Sequence, residues 1–306
     1  MKKPAKRISD LVSPRQQRNW DWRAAANFIA GGAGGGLLLF TALAGLDAFA
    51  TRAAILLGLV LIASGLTCVW FEIGRPWRAL NVYKHFVTSW MTREAVVAVG
   101  VFGAGGLAFL TLAPSLVFLS GALGLTFLYS QARILAANKG IPSWRHPASV
   151  PLMVATGLAE GAGFLVVVAA LGTSATSPGI LAGLIVIVSV RAWIWKTYLA
   201  GLTVGGAPEG ALRILNATGP RFVLVGHVLP ALLVVAALAG MPARASLSVA
   251  AGLLVVAGGW VLKFILVRRA AFTQGLALRH LPVRGRGPAG PATKPGWKII
   301  AGANRV

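Results

Sequence analysis

The sequence predicts an all-α integral membrane protein with eight transmembrane helices, and three observations carry that expectation. Hydrophobic residues make up 57% of the 306 positions and charged residues only 12%, a balance that leaves a soluble core without a polar coat. The apolar residues fall into eight low-charge runs of about 20 residues, the length that spans a hydrocarbon slab about 30 Å thick. Lys and Arg gather in alternate loops, as the positive-inside rule requires of a multi-pass protein.

The runs extend over Ala24–Leu46, Ala53–Ile73, Ala95–Leu112, Ser115–Ala136, Ser149–Leu171, Pro178–Leu199, Phe222–Gly240 and Leu247–Val267. The first contains "GGAGGG" (Gly31–Gly36). Small residues four apart, Gly31 with Gly35 and Gly32 with Gly36, let helix backbones approach closely. A phosphate-cradling loop would sit at bilayer depth with no flanking strand, so that reading is rejected. "AFA" (Ala48–Ala50) resembles a signal cleavage site. The preceding apolar run is too long for a signal, and a polar stretch comes before it, so the run is read as a retained first helix.

Orientation follows from the basic residues. The start of the chain carries Lys2, Lys3, Lys6, Arg7, Arg15, Arg18 and Arg23; the second loop has Arg75, Arg78, Lys84 and Arg93. The fourth loop has Arg133, Lys139 and Arg145, the sixth Arg213 and Arg221, and eight more follow from Arg268 onward. The opposite loops offer only Arg52 and Arg244. Both termini are therefore expected in the cytoplasm, and three regions result: a basic segment 1–23, a membrane domain 24–269 and a basic Pro/Gly-rich tail 270–306. The net charge of +22 is one basic membrane face, suited to anionic lipid or an acidic partner subunit rather than nucleic acid.

Several chemistries are excluded by counting. The single Cys68 cannot hold an iron–sulfur cluster, which takes about four thiolates. Membrane haem needs facing histidines, and only His227 lies within a run, with His85, His146 and His280 outside. No phosphate-binding loop, zinc-protease motif or nucleophile elbow stands where a fold could use it. A redox role must then rest on a diffusible cofactor or on partner subunits.

The densest polar segment is "FEIGRPWRALNVYKHFVTSWMTREA" (residues 71–95). Projected at about 100° per residue, residues 77–92 place Ala79, Leu80, Tyr83, Phe86, Val87, Trp90 and Met91 on one side. Arg78, Asn81, His85, Thr88, Ser89 and Thr92 face the other way. An interfacial amphipathic helix between helices two and three is expected; a plain solvated face fits the same pattern. Glu72 and Glu94 bracket the segment at similar membrane depth, and carboxylates so close to hydrocarbon need partners, which the basic neighbours could supply. An adjacent Arg93–Glu94 pair beside His85, Ser89 and Trp90 offers what quinol oxidation requires, groups that take protons as electrons leave.

"GRPWRALNVYKHFVTSWMTREA" resembles the second loop of the membrane-anchor subunits of dimethyl sulfoxide reductase-type molybdoenzymes, a group that extends to polysulfide reductase and NrfD-like anchors. There a G-x-P-x-R-A-x-N stretch precedes S-x-x-[ST]-x-E, matched here by Gly74, Pro76, Arg78 and Asn81, then Ser89, Thr92 and Glu94. The resemblance implies an eight-helix, haem-free anchor that exchanges electrons between membrane quinone (ubiquinone or menaquinone) and an iron–sulfur subunit. That subunit is wired in turn to a molybdenum catalytic subunit, both on the cytoplasmic face of the bacterial inner membrane. It implies Glu94 as the proton-exchanging residue. This chain has Glu72 where the family often has His. His85 and Glu72 are expected to assist Glu94. Arg78, Asn81, Ser89, Trp90 and Arg93, with Asn27 and Tyr129, are expected to hold the head group or the partner. "NWDWRAAANFIAGGAG" and "KGIPSWRHP" resemble a branch of phenylacetyl-CoA:acceptor oxidoreductase anchors.

Deeper in the membrane, Glu160 and Arg191 read as a buried pair joining helices five and six, or as part of a polar relay. Trp193, Trp195 and Lys196 read as an aromatic belt with a snorkelling Lys, and His227 as a satisfied core histidine. Two readings compete with the quinone anchor. A secondary transporter would bind its substrate at Glu160 and Arg191 and would carry inverted repeats; a structural anchor would bind no quinone.

Overall fold

The computed structural model describes residues 13–72, 81–83, 86–172 and 177–275. Eight helices in it are long and apolar enough to cross a membrane: α1 (Trp22–Ala44), α2 (Ala48–Glu72), α3 (Trp90–Thr111), α4 (Pro114–Ala137), α5 (Ser149–Ala169), α6 (Pro178–Val204), α7 (Glu209–Leu238) and α8 (Arg244–Arg269). They follow the eight apolar runs. The largest departure is α7, which begins well before Phe222, so Arg213 and Arg221 lie on this helix rather than in a loop. Its opening stretch "EGALRILNATGPRFV" is amphipathic, and a search for uniformly apolar runs passes over it.

The helices start and stop for local reasons. Asp21 caps α1 by accepting from the Arg23 amide, and Gly45 ends it in the left-handed region, where glycine carries no side-chain clash (φ 59°). Proline opens α4 and α6, where its missing N–H costs nothing. Within α7, Pro220 and Pro230 each remove a backbone donor, and the turn between them widens into a π-helix over Leu224–Val228.

The expected amphipathic helix over 77–92 is not continuous. Among the described residues, 81–83 make one 3₁₀ turn, 86–88 a turn, and Ser89 is extended before α3 begins at Trp90. Arg78 and His85 lie outside the described residues. Ser89 breaks the helix by using its hydroxyl as the α3 cap, accepting from the Thr92 amide at 3.4 Å.

Two four-helix groups result, α1–α4 and α5–α8, joined where α1 packs on α5 and α8. The glycines of "GGAGGG" make these joints. A Cβ on Gly34 would stand 2.5 Å from the Gly58 carbonyl oxygen of α2, and one on Gly35 would stand 2.5 Å from that of Gly124 on α4. A Cβ on Gly36 would collide with Gly157 of α5. Such approaches replace the hydrophobic drive that lipid cannot supply between helices. Gly31 and Gly32 instead make room for polar side chains, Gln131 and Lys263.

Residues 13–21 and 270–275 meet on one side of the bundle, as an even number of crossings requires. Gln16 and Phe272 form an antiparallel bridge, with the Gln17 amide donating to the Ala271 carbonyl (2.8 Å) and that of Thr273 to Arg15 (2.8 Å). The last carbonyls of α8 have no helical donors, and other segments supply them. Trp144 Nε1 donates to Leu266 (2.8 Å), Gln17 to Val267 (3.0 Å), Gln16 to Arg268 (2.9 Å) and the Ser143 hydroxyl to Ala270 (3.1 Å). Trp20 stacks on Trp144 with ring centroids 4.8 Å apart. "NWDWR" and "KGIPSWRHP" thus meet, and their shared task in the fold is to close the end of α8.

Candidate functional site

Glu94 sits in the second turn of α3 and is 7% exposed. Asn27, in the second turn of α1 and 6% exposed, approaches it with Nδ2 3.4 Å from Oε1. Gln131 of α4, 1% exposed, is the second polar side chain beside that carboxyl and donates to the Asn27 backbone carbonyl at 3.1 Å. Each residue lies within about 10 Å of its helix's end on the side that carries residues 13–21, at 1.5 Å per residue. Space for them comes from absent side chains: a Cβ on Gly65 would press on Asn27 Oδ1 at 3.0 Å, and one on Gly31 would collide with the Gln131 amide.

Among the described residues no cation neutralises Glu94. The expected Arg93–Glu94 pairing does not form: Arg93 turns outward, donating to the carbonyls of Phe86 (3.1 Å) and Val87 (2.6 Å). Neighbouring residues on a helix point about 100° apart, so adjacency in sequence sends these two in different directions. Asn27 Oδ1 and Gln131 Oε1 are buried with no donor. Two acceptors without donors beside one carboxyl can receive a group that brings its own O–H or N–H; Glu160 Oε1 is likewise buried without a partner, but beside a cation.

An aromatic and cationic surface adjoins the carboxyl. Trp90 meets Tyr129 edge to face at 5.8 Å, the Arg93 guanidinium lies 4.3 Å from the Trp90 ring centre, and that of Arg133 lies 4.8 Å from it. Arg133 also approaches the Tyr129 hydroxyl at 3.4 Å. Cations over aromatic faces are held by the ring quadrupole. The structure therefore gathers Glu94, Asn27, Trp90, Arg93 and Tyr129 at the ends of α1, α3 and α4.

Other expected residues stand apart. Glu72 ends α2 near Asp21 and Arg23, where Arg23 forms a 2.8 Å ion pair with Asp21 and donates to the Phe71 carbonyl at 2.7 Å. That guanidinium holds the Asp21 carboxyl below the usual carboxylate range. Asn81 is exposed in its 3₁₀ turn. Gln131 was not singled out in the sequence; the signal was a lone amide within the apolar run of helix four.

The deeper pair is also rearranged. Glu160 is bound by Lys263 at 2.5 Å, both fully buried, rather than by Arg191. Arg191 donates to His227 Nε2 (3.1 Å) and to the carbonyls of Gly226 (2.5 Å) and Val255 (3.4 Å). His227 Nδ1 lies 3.1 Å from the Phe222 carbonyl, so both ring nitrogens are engaged, as expected of a satisfied core histidine. Beyond Arg191 toward the far membrane face lies an apolar cluster that includes Val188, Leu184, Leu181, Val255 and Ala251.

A comparison with curated proteins returns no match. A family model described as DMSO reductase anchor subunit (DmsC) matches residues 28–266, which takes in the glycine run, Glu94, Gln131 and both buried ion networks. With eight apolar helices and a match over most of its length, the chain belongs to the DMSO reductase anchor subunit family of multi-pass membrane proteins.

Proposed function

We propose that this chain performs the quinone half-reaction for a molybdenum/iron–sulfur oxidoreductase complex, with Glu94 exchanging the proton. The observation that carries the reading is a buried carboxyl flanked by two amides and, among the described residues, by no cation, beside two unsatisfied acceptors. A quinol hydroxyl fits that set: its O–H can donate to Asn27 Oδ1 or Gln131 Oε1, or pass its proton to Glu94. A bound quinone supplies a two-electron, two-proton couple. The chain's own residues do the rest. Asn27 and Gln131 would orient the oxygen, Glu94 would accept or return one proton at its carboxylate while the second exchanges with water at the basic face, and Trp90 with Tyr129 would form an aromatic wall toward lipid. A proton taken from a quinol neutralises a carboxylate that has no counter-charge among the described residues, which favours its uptake as electrons leave. The reverse sequence serves quinone reduction.

Electrons pass to or from an iron–sulfur subunit docked on the basic face, which joins the anchor to the molybdenum subunit. The excess of Lys and Arg at this end supports a cytoplasmic position in a bacterial inner membrane. Glu160 does not serve a transported substrate in this reading, because Lys263 already neutralises its charge through Oε2.

The test uses the purified complex carrying Glu94→Gln. Quinol-linked turnover is expected to fall by about a hundredfold, the scale of a lost acid–base group. Turnover of the catalytic subunit with a soluble dye should persist and the complex should still assemble. Wild-type quinol turnover in this variant would overturn the assignment.

A further inference from the structure

A second feature lies on the other side of the bundle, between α6 and α7. A cleft of about 580 Å³ is floored by Trp195, flanked by Leu199, and lined along α7 by Asn216, Gly219, Pro220 and Leu224. It continues past Val223 to Val228. Its shape has a local cause. Gly219 presents no side chain, with a Cβ position 3.7 Å from the Trp195 ring, and the π turn below Pro220 displaces the helix.

The cleft is graded in polarity along its length. At 1.5 Å per residue, α7 is about 45 Å long and overshoots a hydrocarbon slab of about 30 Å. The excess falls at its N-terminal end, because the apolar stretch begins at Phe222. Asn216 therefore lies at head-group level, and Val223, Leu224 and Val228 lie at acyl level, each between 37% and 49% exposed. Arg213 continues the stripe of Asn216 and Pro220 one turn outward, by the i+3 and i+4 spacing of a helix face. Arg221 and Lys196 are exposed on the same two helices. None of these three cations forms an ion pair among the described residues, although the exposed Glu209 stands one turn before Arg213 on the same stripe.

We propose that this cleft binds one anionic phospholipid, with an acyl chain against Trp195, Leu224 and Val228 and the phosphate between Arg213, Arg221 and Lys196. Asn216 would hydrogen-bond the glycerol or ester oxygens between them. Charge decides the occupant: three exposed cations above an apolar trough favour an anionic over a zwitterionic head group. The proposal does not depend on the Glu94 site, which lies in the other helix group.

The experiment exposes the purified chain, in neutral detergent, to equal phosphatidylglycerol and phosphatidylcholine and weighs what it retains by native mass spectrometry. Phosphatidylglycerol should be retained preferentially. Arg213→Gln and Arg221→Gln should each lower that retention about fivefold, with an unchanged melting temperature as the control for folding. Gly219→Leu, which fills the cleft, should reduce retention of both lipids. Equal retention of the two lipids, undiminished retention by the double Arg variant, or a quinone retained in place of lipid would each overturn the proposal.

Discussion

Glu94 and Glu160 are two buried carboxyls in one membrane bundle, one in each four-helix group, and their surroundings differ in kind. Glu160 is fully buried against Lys263 at 2.5 Å, with Arg191 beyond it held by His227 and two carbonyls. Among the described residues Glu94 has the amides of Asn27 and Gln131 and no cation. A carboxylate clamped by an ammonium is tied to its charge, because removing either partner strands the other in hydrocarbon. A carboxyl among amides can gain or lose a proton while its neighbours stay intact. The α5–α8 group thus uses an acid to hold helices together, and the α1–α4 group holds one beside amides, as the proposed proton exchange requires. Gly31 and Gly32, adjacent on α1, open space for the two clusters.

The largest expected effect comes from breaking the clamp. Lys263→Ala leaves Glu160 buried without its cation and should cost about 3–5 kcal/mol, read as loss of the folded chain from membranes or a large drop in melting temperature. The double replacement Glu160→Leu with Lys263→Met removes both charges and should recover most of that loss. In the double variant quinol-linked turnover should stay near wild type. A double variant that folds but no longer turns over would move function into the α5–α8 group and dissolve the contrast.

The helix count was legible in the sequence because hydrocarbon thickness writes itself directly into run length, and the glycine run correctly announced close helix contacts. Glu94, Asn27, Trp90 and Tyr129 could be picked out because polar or amphipathic residues near the ends of apolar runs are few. Their partners were harder to read. Arg93 is Glu94's immediate neighbour in sequence yet turns away from it, and Glu160 chose Lys263, more than a hundred residues on, over Arg191. Pairing across helices depends on rotation about each axis, which hydropathy does not encode. Gln131 and Lys263 were visible as polar residues inside apolar runs, and their facing glycines were visible too; only the packing joins them. The start of α7 was missed because an amphipathic helix above the hydrocarbon has no apolar run to mark it.

A smaller effect probes the amides beside Glu94. Asn27→Leu keeps the volume of α1 near Gly65 but removes the donor to Glu94 and the free acceptor Oδ1. Loss of one orienting hydrogen bond to a charged or reacting group should cost about 1.5–3 kcal/mol, or roughly 10- to 150-fold in quinol-linked kcat/KM. Gln131→Leu should fall in the same range, with an added stability loss because its amide also ties α4 to the Asn27 carbonyl. If neither substitution changes quinol kinetics while Glu94→Gln does, the carboxyl works without oriented partners, and the amides are packing alone.

The smallest effect concerns Ser89, where a structural and a ligand-binding role make different forecasts. Its hydroxyl is spent on the α3 cap, accepting from the Thr92 amide, while the Thr92 hydroxyl donates to the Val82 carbonyl and ties down the preceding turn. Ser89→Ala should therefore cost about 1 kcal/mol of stability, as an N-cap loss does, and leave the KM for quinol within twofold. Ser89→Asp restores an acceptor at the cap and adds a favourable charge at the helix N-terminus, so it should recover the lost stability. A ligand role would give the opposite pattern: Ser89→Ala would raise KM with little change in melting temperature, and Asp would not rescue it. The comparison of the two variants in stability and in KM separates the cap from the pocket, and thereby fixes how far the Glu94 site extends beyond α1, α3 and α4.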